Sequence, residues 1–139
     1  FLEDELVAVI RTNSKLPVGE EITPEELLDL PLVLRERGSG TLDVFERALQ
    51  QHNIKLSSLK VLMYLGSTES IKLFLEHTDS LGIVSVRSIG RELYSGQLRV
   101  VEIKSMPMQR EFSFAQPQGQ ESGLAQVFMQ FAIHHNHKL

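Results

Sequence analysis

Two short turns in this chain place glycine and hydroxyl side chains directly before a predicted helix. They are Gly38-Ser39-Gly40-Thr41 and Gly66-Ser67-Thr68. Each turn follows an apolar run typical of a strand, and open α/β sheets bind ligands beyond the carboxyl ends of their strands. Backbone N–H groups and the helix dipole favour anions there by roughly 0.3–1 kcal/mol. The same residue types are ordinary helix caps, so the pattern leaves a binding loop and a plain cap both open.

No arrangement of residues in the chain predicts a reaction. Ser39 lacks the glycines two residues to either side that a nucleophile elbow requires, and no lysine follows Gly40 as it does in a P-loop. His52 and His77 fall near predicted helix ends, where a cation complements the dipole. The histidines at 134–137 are typical of a frayed terminus. We therefore predict no catalytic residue, no metal site and no cofactor.

Length and composition limit the class of protein. The 139 residues suit one globular domain, and the absence of cysteine excludes disulfides. The 18 acidic residues against 14 basic ones argue against a nucleic-acid-binding face within this segment. No apolar run approaches the roughly 18 residues of a membrane span, so we expect no membrane partner. The chain begins at Phe1 with no methionine and no signal sequence, which leads us to expect a fragment of a longer protein.

Apolar runs alternate with amphipathic stretches along the chain. Thr23, Pro24 and Glu26 predict an N-cap, a first helical position and a capping box. The alternation predicts an α/β fold with a largely parallel sheet covered on both faces. Too few residues join the last two strands for a parallel crossover, so one of them either runs antiparallel or enters a second lobe. The predicted strands are 6–10, 31–36, 59–65, 82–86, 98–103 and 108–115. A helix follows each of the first four, and the last two follow one another directly. A last helix carries Leu124, Val127, Phe128 and Phe131.

These segments occur in a characteristic order over nearly the whole chain. The series comprises 5–10, a loop with Leu16-Pro17, 22–36, 38–41, 65–72, 81–83, 92–93 and 95–98, followed by the terminal amphipathic helix. It resembles the effector-binding domain of LysR-type transcriptional regulators, in the branch with an Arg-Glu-x-Gly-Ser-Gly-Thr turn. The resemblance implies a Rossmann-like mixed sheet, mostly parallel, of the type 2 periplasmic-binding-protein kind.

The resemblance also implies a division of the chain. Residues 1–12 would cross into the second regulatory lobe, 13–97 would form that lobe, and 98–139 would return to the first lobe. The DNA-binding domain, the linker helix and about half of the first lobe would lie outside the chain. The implied function is that of a cytoplasmic sensor in a bacterial regulator. It would bind a small polar or anionic metabolite between its lobes, shift their arrangement, and form a homo-oligomer that contacts DNA only through the missing N-terminal domain.

Seven residues carry the implied effector contacts on this lobe: Arg35, Glu36, Ser39, Gly40, Thr41, Ser67 and Thr68. Two features depart from the family pattern. Thr78-Asp79-Ser80 replaces a small Ala-Gly pair, and Arg87 places a charge near the expected hinge. That charge would contact the effector, a neighbouring subunit, or a carboxylate in a surface ion pair.

Two other hypotheses assign a different function to the same scaffold. A lobe of an extracytoplasmic solute-binding protein would be preceded by a cleavable signal peptide, whereas a regulator would be preceded by a helix-turn-helix and a linker helix. An enzyme on this scaffold would need catalytic groups from outside the chain, since none is visible in it.

Overall fold

A computed structural model describes residues 2–112, which form a mixed sheet with helices on both faces. The strands are β1 (Leu2–Arg11), β2 (Glu21–Ile22), β3 (Pro31–Arg35), β4 (Lys60–Leu65), β5 (Leu81–Ser85), β6 (Leu98–Ile103) and β7 (Gln109–Phe112). The α-helices are α1 (Thr41–Gln50), α2 (Thr68–His77) and α3 (Gly90–Ser95), and 3₁₀ helices span Pro24–Asp29, Leu56–Ser58 and Val86–Ser88. The predicted α/β fold is confirmed.

One strand runs against all the others. The sheet order is β2-β6-β1-β5-β3-β4, and β7 pairs with the first residues of β1. β3 is parallel to β4 and β5, and β2 is parallel to β6, whereas β1 is antiparallel to β5, β6 and β7. Of the two alternatives for the last two strands, the reversal of one of them is wrong, and the entry of one into a second lobe stays a prediction. Both pair with β1 in the same direction, so the chain needs only a short connection and no crossover.

The predicted capping box is present at the first 3₁₀ helix. The Thr23 Oγ1 accepts a hydrogen bond from the Glu26 N–H at 3.3 Å, and Glu26 Oε1 accepts one from the Thr23 N–H at 3.1 Å. Pro24 begins the helix, which ends at Asp29, and the next residue, Leu30, takes an extended conformation before Pro31. Local sequence therefore determines this element from end to end.

The two faces of the sheet are covered by different helices. Leu42, Phe45 and Leu49 are spaced at i, i+3 and i+7, which predicts one apolar helix face, and α1 buries all three in one core. α2 buries Ile71 and Leu75 in a second core on the other face, where residues from the α3 region also pack. The sheet is thus enclosed between helices over β1, β3 and β5.

β4 differs from its neighbours because it is the last strand in the sheet order. Its residues Leu62, Met63 and Tyr64 are 54%, 43% and 44% exposed. The pairing with β3 also shifts register between Leu32 and Val33, which leaves Leu62 as an extra residue in β4. The expectation that both faces of this strand are covered is wrong, since α1 and α2 pack mainly over β3 and β5.

Some predicted features fall outside the described residues. They are the end of the last predicted strand at 113–115, the terminal amphipathic helix and the histidines at 134–137. Within residues 2–112, no helix has the length and apolar character needed to cross a membrane.

Candidate functional site

The two glycine-hydroxyl turns lie side by side at one edge of the sheet. β3 and β4 are parallel, with Arg35 opposite Leu65 in the register, so both strands end at the same level. The chain then turns through 36–40 into α1 and through 66–67 into α2. This is the edge at which α/β sheets bind ligands, and the structure brings together all seven residues that the sequence singled out there.

Arg35 connects the two turns. Its Nη2 donates to the carbonyl of Gly66 at 3.3 Å, and its Nη1 donates to Thr68 Oγ1 at 3.4 Å. The backbone N–H of Glu36 also donates to the carbonyl of Leu65 at 3.0 Å. The Nε of Arg35 is buried and has no hydrogen-bond partner among the described residues. Arg35 therefore holds the second turn in position relative to the first.

The side chains of Glu36 and Arg37 lie against different elements, the second turn and α1. A Cβ at Gly66 would lie 3.3 Å from Glu36 Oε1, so the glycine is what lets this carboxylate lie against the second turn. Arg37 instead forms ion pairs with Glu46 at 3.2 Å and Asp43 at 3.9 Å, both on α1. Of these two arginines near the first turn, Arg35 bonds to the second turn, whereas Arg37 pairs with α1.

The first turn depends on its glycines. Gly38 and Gly40 have φ values of 97° and 80°, in a region that other residues rarely adopt. Gly40 is the N-cap of α1, and Ser39 Oγ accepts a long hydrogen bond of 3.4 Å from the Leu42 N–H. The Ser39 O–H has no acceptor among the described residues, so it can donate to a ligand. Thr41 is buried at the start of the helix.

The second turn is a helix cap. Ser67 Oγ accepts from the Ser70 N–H at 3.1 Å and donates to Ser70 Oγ at 2.8 Å. Thr68 Oγ1 accepts the bond from Arg35. The sequence left two interpretations of this turn open, a helix cap and a ligand-binding loop. In this structure Ser67 caps α2, and its contact with a ligand stays a prediction.

A third polar group at this edge was not found from the sequence. Ser85, at the end of β5, donates from Oγ to Asp4 Oδ1 at 2.7 Å, and Arg87 Nε lies 3.9 Å from the same oxygen. Asp4 is buried. The three residues meet because β1 pairs with β5, and no local pattern links positions 81 residues apart. Arg87 thus has a buried carboxylate partner near the expected hinge.

Asp79, one of the departures from the family pattern, lies at the opposite edge. Its Oδ1 accepts hydrogen bonds from the Lys15 N–H at 3.0 Å and from Arg11 Nε and Nη2 at 3.1 and 2.9 Å. The backbone bond from Lys15 and the Arg11 guanidinium lower the pKa of the Asp79 carboxyl. The carboxylate joins the loop after β1 to the α2–β5 connection, so this departure has a structural role.

Taken together, the carboxyl edge offers donors for an oxyanion. They are the Arg35 guanidinium, the Ser39 hydroxyl and the backbone N–H groups of the glycine turn, which the helix dipole of α1 reinforces. Among the described residues, no group of three or more His, Cys, Asp or Glu side chains could hold a metal ion. The arrangement presents hydrogen-bond donors at one edge of the sheet, and within residues 2–112 none of the seven residues there belongs to a nucleophile–base pair.

Comparisons with known proteins agree with this architecture. Residues 1–136 match the family model described as the LysR substrate binding domain. A RuBisCO operon transcriptional regulator of Acidithiobacillus ferrooxidans is 32% identical over 94% of this chain and 42% of its own length. The HTH-type transcriptional activator CmpR of Synechocystis is 30% identical over 98% of this chain and 44% of its own length. The chain thus spans less than half the length of these relatives.

Two solved structures have the same fold. One is the regulatory domain of Synechocystis CcmR in complex with 2-PG, with a TM-score of 0.71, 24% identity, and coverage of 94% of this chain and 62% of that one. The other is the effector-binding domain of QuiR in complex with shikimate, with a TM-score of 0.69, 17% identity, and coverage of 98% and 63%.

Proposed function

This chain belongs to the LysR substrate-binding domain family, and from that premise we propose that it is the second regulatory lobe, with part of the first, of a cytoplasmic transcriptional regulator. Residues 13–97 form the second lobe, and 1–12 and 98–139 lead to the first. The pairing of β7 with the first residues of β1 supports this division, because the two segments that connect the lobes then lie next to each other. DNA is contacted by a domain outside the chain.

The lobe acts as a binding module and not as an enzyme. The relatives described above are named as transcriptional regulators. For the same reason, the alternative of an extracytoplasmic solute-binding lobe is not favoured. A ligand would favour one arrangement of the two lobes only to the extent that it binds that arrangement more tightly.

The ligand site is formed by the two turns at the carboxyl edge. The single observation that carries this assignment is Arg35, which joins the turns so that Ser39, Thr41 and Thr68 lie at one edge. The ligand class is a small polar or anionic metabolite, because the edge presents donors and a helix N-terminus. The ligands named for the structural neighbours, 2-PG and shikimate, are the first molecules to test.

Substitutions in the first turn test this site. Titration calorimetry on the complete two-lobe domain is expected to detect binding of 2-PG or shikimate. Ser39→Ala and Thr41→Val are each expected to weaken that binding about five- to tenfold, because each removes one hydrogen bond of about 1 kcal/mol.

Ser57→Ala serves as the control, since this exposed serine lies in the Leu56–Ser58 helix and outside both turns. Melting curves of the three variants show whether folding is retained. If both turn variants bind the ligand with unchanged affinity, the ligand site does not lie at these turns. If neither molecule binds, neither 2-PG nor shikimate is the ligand of this site.

Self-association is proposed to use the outer strand. We define the apolar edge as Leu62, Met63 and Tyr64 of β4, and Leu73 of α2 is also 60% exposed. An outermost strand offers unpaired backbone groups to another chain, and exposed apolar side chains mark interaction surfaces. Nothing in residues 2–112 covers this surface. A second copy of the chain would bury it.

A charge on the apolar edge is expected to weaken this assembly. Leu62→Asp should reduce the association constant of the intact regulator by tenfold or more, about 1.4 kcal/mol, because the carboxylate would lose water on contact. Sedimentation equilibrium measures the change. Tyr94→Asp is the matched control, since Tyr94 is 95% exposed on α3. Equal association in both variants would place the subunit contact elsewhere.

A further inference from the structure

A cavity of about 490 Å³ lies between α1 and the segment that joins β6 to β7. We name it the α1 cavity. One wall comes from α1 and the residues after it, and the other wall is the segment 105–109. None of the seven residues at the carboxyl edge lines it. Its volume is in the range of small-molecule sites, which are typically 300–1,000 Å³.

The floor of the α1 cavity is apolar and held in place. Val44, Met106 and Met108 are buried in the core that α1 covers. His52 Nε2 donates to the carbonyl of Ser105 at 3.0 Å, which ties the joining segment to the end of α1. Ser105 has a φ of 57°, so the chain turns sharply at this point. The buried floor and this hydrogen bond therefore hold the two walls of the α1 cavity in place.

The rim of the α1 cavity carries side-chain hydrogen-bond donors that have no acceptor within residues 2–112. Arg47, Gln51 and Gln109 line it, and within residues 2–112 none of their side chains forms a hydrogen bond or an ion pair. Arg37, close by in the sequence, is instead matched by Glu46 and Asp43. No aspartate or glutamate is among the lining residues. Arg47 therefore gives the rim a positive charge that no carboxylate among the lining residues pairs with.

We propose that the α1 cavity is a second ligand site, which takes a small organic anion with an apolar body. The oxyanion contacts the Arg47 guanidinium and the amide groups of Gln51 and Gln109, and the apolar part packs on Val44 and Met106. An apolar floor with convergent donors at the rim suits a molecule that carries both an apolar part and an oxyanion. A guanidinium suits a carboxylate or phosphate because it can donate two parallel hydrogen bonds.

Nuclear magnetic resonance titration of the 139-residue chain tests the proposal, with phenyl phosphate as the probe. The side-chain amide signals of Gln51 and Gln109 and the ring signals of His52 are expected to shift. Phenol, which has the same ring and no charge, should leave them in place. Arg47→Gln is expected to weaken phenyl phosphate binding at least about tenfold, since a hydrogen bond to a charged group is lost. Arg91→Gln, at an exposed arginine on α3, should change nothing.

Three outcomes would overturn the second site. They are equal shifts with phenol, equal affinity in Arg47→Gln and the original chain, and shifts confined to residues 36–41 and 66–68. The last of these would still support the ligand site at the carboxyl edge, so the two proposals can fail separately. Arg47 is exposed, and its replacement is not expected to affect folding.

Discussion

Replacing Phe45 with alanine is expected to lower the free energy of unfolding by about 3–5 kcal/mol. Phe45 is fully buried in the core between α1 and the sheet. Its removal costs the transfer free energy of the ring and leaves a cavity that the surrounding β-sheet can fill only partly. Urea unfolding followed by circular dichroism measures the difference, and Leu49→Ala on the same stripe is expected to cost about 2–5 kcal/mol.

Gln50→Ala is the matched control for this change. Gln50 is exposed on the same helix, so its replacement should stay within about 0.5 kcal/mol of the original stability. If Phe45→Ala and Leu49→Ala both unfold at the same urea concentration as the original chain, α1 does not present this face to the sheet.

Replacing Lys72 with alanine is expected to cost about 3 kcal/mol of stability. Lys72 Nζ donates to the carbonyl of Ser88 at 2.9 Å and pairs with Glu92 at 3.2 Å and Glu69 at 2.6 Å. The side chains of Lys72 and Glu92 are only 12% and 11% exposed. Loss of the lysine leaves a buried carboxylate without its cation, which costs far more than loss of an exposed ion pair.

A double variant separates the unpaired charge from other effects. Lys72→Met combined with Glu92→Leu replaces both partners with apolar side chains, and such replacements of buried pairs are often neutral or stabilising. We therefore expect the double variant to recover most of the stability that Lys72→Ala loses. A double variant as unstable as Lys72→Ala would show that the unpaired Glu92 carboxylate is not the cause of the lost stability.

The stabilisation that Lys72 provides is expected to decrease at high pH. Burial alone lowers the pKa of Lys72, but the hydrogen bonds and charges of Glu69 and Glu92 outweigh it and raise that pKa above 10.5. A raised pKa in the folded state stabilises the protein below the unfolded value, and the stabilisation is lost as the pH rises through the folded value. The stability difference between the original chain and Lys72→Met should therefore shrink above about pH 10.5. A difference that grows in that range would contradict the assignment.

Local elements could be predicted because their causes lie within a few residues. The capping box of Thr23 and Glu26, the apolar stripe of α1 and the glycine turn before it each depend on neighbours in the sequence. The end of α3 at Gly96, with a φ of 79°, is of the same kind. The position of both candidate turns at one sheet edge also followed from the sequence, since parallel strands end together.

The contacts of the site could not be predicted, because they join distant positions. Arg35 was expected to contact a ligand, yet its guanidinium bonds to Gly66 and Thr68 and so orders the second turn. Asp4 and Ser85 meet only through the pairing of β1 with β5. The α1 cavity likewise needs residues 44–52 and 105–109 to come together, and neither segment has a motif that indicates it.

The sequence by itself determined the fold class, the family, the helix caps and the two turns where a ligand is proposed to bind. Only the tertiary structure decided that β1 runs against the other strands, that β4 exposes its apolar residues, and that Arg35 joins the turns. Caps and periodicity arise from interactions over three or four residues, which a sequence displays directly. Strand direction and burial depend on which strands become neighbours, and that is settled only when the whole sheet assembles.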